Sequence, residues 1–183
     1  MRQVEVELRS LISKEKYDEL LKFFRNLNLS FTENYHETYY FKGNDKNLGS
    51  YDHLRIYRTN KEAVLLFKKG KIHDEIKEEI EIKFKREEFK DLEKLFLHLG
   101  LKIQAKWFRK RIEFKWNDIN VCLDDTKGYG YILELEKISD ELNKNKDLEI
   151  LNKKLKELKI DLTPKKQFDK KYADYLKNWQ NLI

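Results

Sequence analysis

The chain opens on an alternation of apolar and charged residues. Val4, Val6 and Leu8 are apolar, and Glu5, Glu7 and Arg9 stand between and after them. Successive side chains of a strand point to opposite faces, so one face here is apolar and the other carries two carboxylates and a guanidinium. The same choice recurs along the chain. Ile80, Ile82 and Phe84 oppose Lys77, Glu79, Glu81, Lys83 and Lys85, while Phe108, Ile112, Phe114 and Trp116 oppose Arg109, Arg111, Glu113 and Lys115. Ile119, Val121 and Leu123 alternate with Asn120, Cys122 and Asp124. Leu133 and Leu135 alternate with Glu134 and Glu136, and Leu54 and Ile56 with Arg55 and Tyr57.

Together with the aromatic run at 30–41 and the apolar run at 62–69, this pattern predicts eight strands. They fall at 3–9, 30–41, 53–59, 62–69, 75–85, 102–116, 119–124 and 131–137. Helical spacing interrupts them. Ser13 caps a helix carrying Tyr17, Leu20, Leu21 and Phe24. A second helix, at 86–98, carries Phe89, Leu92, Leu95 and Phe96, and Gly100 follows as its stop. After Ser139 come two more stripes: Leu148, Leu151, Leu155 and Leu158, then Phe168, Tyr172, Tyr175, Leu176 and Trp179. Turn residues are expected at 43–45, 49–50, 60–61, 117–118 and 127–130. One proline and six glycines leave no linker, so the expectation is a single domain over residues 1–183.

Composition narrows the chemistry. Charged residues are 39% of the chain, well above the usual quarter, and both signs are dense. A net charge of +6 favours an anionic partner. Cys122 is the sole cysteine, which excludes an intrachain disulfide and a cysteine-based zinc site. His36, His53, His73 and His98 show no metal-ligand spacing. No apolar run approaches a membrane span and no signal peptide opens the chain, so a cytoplasmic protein with no membrane partner is expected.

Two architectures satisfy strands with one apolar and one charged face. One is an antiparallel sheet with its charges in open water. The other is an α+β fold: an eight-stranded antiparallel β-barrel, closed or nearly so, with helices packed outside and a charged tunnel inside. Charge density favours the second. Carboxylates on neighbouring strands repel one another, and Glu5, Glu7, Glu79, Glu81, Asp124, Glu134 and Glu136 form a costly set without cations. Oxygen-preferring Mg²⁺ or Mn²⁺ relieves that cost. Arg9, Arg55, Lys68 or Lys69, Lys77, Arg109 and Arg111 then serve as donors for a polyanion. Metal-bound polyphosphate suits such a mixture. Nucleic acid does not, because so many acids repel it.

These residues resemble the CYTH family, the triphosphate tunnel metalloenzymes, which include class IV adenylyl cyclases, thiamine triphosphatases and inorganic triphosphatases. Glu5-Val6-Glu7-Leu8-Arg9 is similar to the family's opening Glu-x-Glu-x-Lys strand, with Arg for Lys. Leu54-Arg55-Ile56-Tyr57 resembles its Leu-Arg-x-Arg strand, and Lys77-Glu78-Glu79-Ile80-Glu81 its basic-x-Glu-x-Glu strand. Arg109-Lys110-Arg111 resembles Lys-x-Arg. Asp124, Gly128 and Glu134-Leu135-Glu136 follow in family order, and Lys170-Lys171-Tyr172 resembles its C-terminal helix.

The resemblance implies a triphosphate tunnel with acids on one side and bases on the other. Glu5, Glu7, Glu81, Asp124, Glu134 and Glu136 would hold Mg²⁺ or Mn²⁺. Arg9, Arg55, Lys68, Lys77, Arg109, Arg111 and Lys170 would bind substrate, and Glu5, Glu7 and Arg9 would form the catalytic strand. The implied function is hydrolysis of tripolyphosphate, thiamine triphosphate or a nucleoside triphosphate. A class IV adenylyl cyclase and a noncatalytic polyphosphate binder are the alternatives. A homodimer is implied because family cyclases commonly pair. Three departures bear on activity: Arg9 widens an ammonium into a fork, Tyr57 replaces the second arginine, and Lys77 replaces an arginine. Arg58, next to Tyr57, is expected on the opposite face.

Overall fold

A computed structural model describes residues 3–43, 53–69 and 78–183, with backbone alone at 3, 68, 69, 78 and 79. The turns expected at 44–45 and 49–50, the strand start at 75–77 and Lys77 itself lie outside the described residues. The strands are β1 (Gln3–Ile12), β2 (Phe31–Lys42), β3 (His53–Arg58), β4 (Glu62–Lys69), β5 (Glu78–Lys85), β6 (Lys102–Trp116), β7 (Ile119–Thr126) and β8 (Gly130–Asp140). The helices are α1 (Lys14–Asn26), α2 (Phe89–His98), α3 (Lys144–Glu157) and α4 (Lys165–Leu182), with a 3₁₀ turn at Arg86–Glu88 before α2. The α+β expectation is met by eight antiparallel strands in one sheet, in the order β1-β8-β7-β6-β2-β3-β4-β5. Among the described residues β1 and β5 are the two ends of that order. No helix among them is long and apolar enough to cross a membrane.

Two compact units divide the chain. One comprises Met1–Glu33 and Lys110–Tyr175, the other Asn34–Arg109 and Leu176–Ile183. In the first, the apolar faces of β1, β6, β7 and β8 contribute Leu8, Ile112, Phe114, Val121, Leu123, Leu133 and Leu135 to a core. Leu20 and Phe24 of α1 and Leu151 and Leu155 of α3 belong to the same core. Each such side chain contributes about 1.5–3 kcal/mol by leaving water. Ser13 caps α1 as expected, its Oγ accepting from the Lys16 amide at 3.2 Å. After α3 the chain crosses β1. Ser10 Oγ donates to the Asp161 carbonyl at 3.0 Å, and the Leu11 amide donates to Thr163 Oγ1 at 2.9 Å. Those bonds occupy polar groups on the end strand of the order, where ladder partners run out.

In the second unit, Tyr39, Phe41, Ile56 and Ala63 of the sheet cluster with Phe89 and Phe96 of α2. Arg58 lies where its parity puts it, away from Tyr57. Its Nε donates to Glu37 Oε2 at 2.6 Å, and its guanidinium sits 4.9 Å from the Phe89 ring centroid. Gly100 takes φ +81° just past α2, the left-handed stop that its position implied.

Candidate active site

Register assembles the charged face of the first unit. Across β1 and β8, Glu7 pairs with Glu136 and Arg9 with Glu134. Across β7 and β8, Asn120 pairs with Glu136 and Cys122 with Glu134. Directly opposite residues of an antiparallel ladder share a face. Two rows therefore cross three strands: Glu7–Glu136–Asn120 and Arg9–Glu134–Cys122. Arg111 of β6 and Asp124 of β7 join them through side chains. Arg111 Nε donates to Asp124 Oδ1 at 2.8 Å and its Nη2 to Asp124 Oδ2 at 2.7 Å. The same Nη2 donates to Glu134 Oε2. Arg9 Nε lies 3.0 Å from Glu134 Oε1 and also pairs with Glu7 Oε1. Asn120 Nδ2 donates to Glu136 Oε2 at 3.0 Å.

This is no solvated surface ladder. Asp124 and Cys122 are 0% exposed and Glu134 is 2% exposed. Buried charges persist only when they are paired and hydrogen-bonded. The fork between Arg111 and Asp124 meets that condition with two charge-assisted bonds. Its consequence is electrostatic. Burial works against the Arg111 charge, but Asp124 and Glu134 outweigh it and lift the guanidinium pKa far above its ordinary value. Arg9 behaves likewise, with Glu134 and Glu7 overcoming burial. Glu7 moves in the less usual direction. Burial, reinforced by Glu134 and Glu136, raises its carboxyl above 4.5 despite Arg9. Burial also pushes the Cys122 thiol up, against the pull of Arg111.

The donor set fits a hard divalent cation. Oxygens of Glu134 and Glu136 and the Cys122 sulfur lie within 4.8 Å of one another. The soft Cys122 sulfur is a poor match for such a cation, which prefers oxygen. That leaves carboxylates, the ligands that Mg²⁺ and Mn²⁺ prefer. Four carboxylates (Glu7, Asp124, Glu134, Glu136) face two guanidiniums (Arg9, Arg111), so fully ionised acids outnumber the cations by two.

The other expected residues are placed as follows. Glu5 is exposed on β1, opposite Ile138. In the second unit Glu81 is exposed on β5 and pairs with Leu66, which pairs in turn with Arg55. Arg55 Nη1 donates to the Tyr40 hydroxyl at 3.3 Å. Arg109 is half-buried on β6. Lys68 lies on β4 opposite His53, its side chain outside the described residues, as is all of Lys77.

Lys170 is exposed on α4, whereas its neighbour Lys171 is half-buried, with Nζ 5.2 Å from the Tyr129 ring centroid. Tyr129 is buried edge-on against Tyr175 at 5.7 Å, and burial lifts its phenol to about 12 although Arg9 pulls it down. Lys171 and Asn120 are the residues the sequence reading passed over. Lys171 stands four residues before Tyr175, so helical spacing marked it. Asn120 shares parity with Cys122 and Asp124.

A family model described as CYTH domain matches residues 3–173. A protein of Methanocaldococcus jannaschii named as a candidate adenylate cyclase is 35% identical over 86% of this chain and 90% of its own length. Among solved structures, a conserved hypothetical protein of Pyrococcus furiosus superposes with TM-score 0.63 at 28% identity, covering 86% of this chain and 92% of that one. A Hippeastrum protein, described as a candidate adenylyl cyclase with a dominant triphosphatase activity, shares the fold with TM-score 0.67. It is 18% identical over 94% of this chain and 96% of its own.

Proposed function

The chain belongs to the CYTH family, and on that premise we propose that it hydrolyses a triphosphate-bearing substrate with the help of Mg²⁺ or Mn²⁺. One observation carries the reading: carboxylates and guanidiniums interleave on a single polar face, with the buried Glu134 contacted by both Arg9 and Arg111. Tripolyphosphate, thiamine triphosphate and nucleoside triphosphates all present the oxygens such a face would recognise.

Glu7, Glu134 and Glu136 would hold the cation, with Glu5 and Asp124 flanking them. When bound, the cation supplies Lewis-acid stabilisation of phosphoryl charge and acidifies water. The guanidiniums do the rest of the binding. Arg9 and Arg111 are planar forks matched to phosphate oxygens. Arg111 is held by Asp124, so it meets developing charge without reorganising. Glu5, Glu7 and Arg9 form the catalytic strand in this reading. Arg55, Lys68, Lys77, Arg109, Lys170 and Glu81 are assigned by the resemblance alone. Hydrolysis asks only for this charged face, because the nucleophile is water.

The second reading is a class IV adenylyl cyclase, favoured by the description of the M. jannaschii relative. There the ribose 3′-hydroxyl attacks the α-phosphate and pyrophosphate leaves. Incubation with Mg²⁺ or Mn²⁺ and, separately, ATP, tripolyphosphate and thiamine triphosphate distinguishes them by product. Orthophosphate without cyclic nucleotide is expected. Cyclic AMP with pyrophosphate would replace hydrolysis by cyclisation, and tight binding without turnover would make the protein a binder.

A further inference from the structure

Arg9 and Arg111 touch the same carboxylate from different settings. Arg111 has a side chain only 12% exposed and is anchored by two bonds to Asp124. The Arg9 side chain is 54% exposed, lies on an end strand of the order, and reaches Glu7 and Glu134 through one nitrogen, Nε. Those two acids are among the groups that would hold the cation. A divalent ion approaching them therefore meets a positive charge already seated on their oxygens.

We infer that Arg9 acts as a built-in counter-ion that blocks Glu7 and Glu134 to a free divalent cation until a polyphosphate draws its guanidinium away. The inference rests on the proposed triphosphate reading and adds a coupling to it. A polyanion offers Arg9 alternative oxygens, and the exposed position of its side chain leaves room for the exchange. Once the fork has moved, the carboxylates are open to the cation. Linkage makes the effect reciprocal: polyphosphate tightens the cation and the cation tightens polyphosphate. The guanidinium suits this role because Nε alone holds both carboxylates, and the planar fork matches phosphate oxygens once it moves.

The test uses Arg9→Gln and Arg9→Met in the full chain, with folding checked by circular dichroism. Mn²⁺ is titrated without phosphate and followed by the paramagnetic resonance signal of the free ion. Tripolyphosphate is titrated calorimetrically in the presence of a chelator. Both variants are expected to bind Mn²⁺ more tightly than the native chain, by roughly five- to a hundredfold, and to bind tripolyphosphate more weakly. A purely structural role for Arg9 would weaken both. Unchanged or weakened Mn²⁺ binding in both folded variants overturns the inference. If the native chain still hydrolyses tripolyphosphate with Mn²⁺ in that case, the functional reading survives. If neither the native chain nor the variants bind Mn²⁺ or tripolyphosphate, both fall.

Discussion

Arg111 and Asp124 lock β6 to β7 on the polar side of the first unit, with Nε–Oδ1 and Nη2–Oδ2 bonds of 2.8 and 2.7 Å. Arg111→Met would strip a fully buried carboxylate of its two-bond partner. Losing one member of a buried ion pair costs about 3–5 kcal/mol. Chemical denaturation should show that loss. The double change Arg111→Met with Asp124→Leu should recover the part of it owed to Asp124, since an apolar pair needs no counter-charge, while Glu134 keeps Arg9 as its partner.

Glu136→Gln separates charge from shape. The amide oxygen can still accept from Asn120, which donates to Glu136 Oε2 at 3.0 Å. Thermal stability should therefore change little. Divalent-cation-dependent phosphate release should fall by at least roughly 10–100-fold, the usual effect of disturbing a metal's ligand environment. An unchanged rate in a matched assay would remove Glu136 from the site.

Glu7 gives the fold a pH dependence of unusual sign. Its folded carboxyl holds a proton more tightly than the ordinary 4.5, chiefly through burial. Between 4.5 and the raised folded value, the folded chain binds more protons than the unfolded one, so stability falls as pH rises. Glu7→Gln removes that penalty. Urea titrations without divalent cations should show the variant gaining on the native chain above pH 4.5, with no relative gain below it.

Phe24 ties α1 to the sheet. It is 0% exposed, with its ring 5.4 Å from those of both Phe114 and Trp116. Phe24→Ala should cost about 3–5 kcal/mol through lost contacts and the cavity left behind. A midpoint shift in urea without a change of slope would be the signature.

Strand parity was legible wherever one face was apolar. The alternation at Val4–Arg9 and at Leu133–Glu136 told which side chains share a side, and the structure keeps that division: Leu133 and Leu135 enter the core while Glu134 lies on the polar face with Arg111. It also foretold that Arg58 would leave Tyr57 for the opposite face, where Glu37 and Phe89 receive it. Helical stripes located α1 through α4 for the same reason: a period of 2 or 3.6 is a local property. Which of Lys170 and Lys171 lies near Tyr129 was not legible, because adjacent helical residues differ by a large rotation; Lys171 takes that place and Lys170 is exposed.

Partnership within the charged face was another matter. The sequence alone determined that Glu5, Glu7 and Arg9 share one side of a strand and that further strands repeat the choice, and it gave cations and a polyanion as expectations. Only the tertiary structure decided that Glu7 meets Glu136, that Arg9 meets Glu134, and that Arg111 reaches Asp124 and Glu134 together. Partners that are far apart in the chain are chosen by strand register, and register is set by how whole apolar faces pack. Burial was decided there too. Nothing in the local pattern distinguishes Asp124, which is 0% exposed, from an acid on an open face. Packing alone turned a row of charges into paired ones.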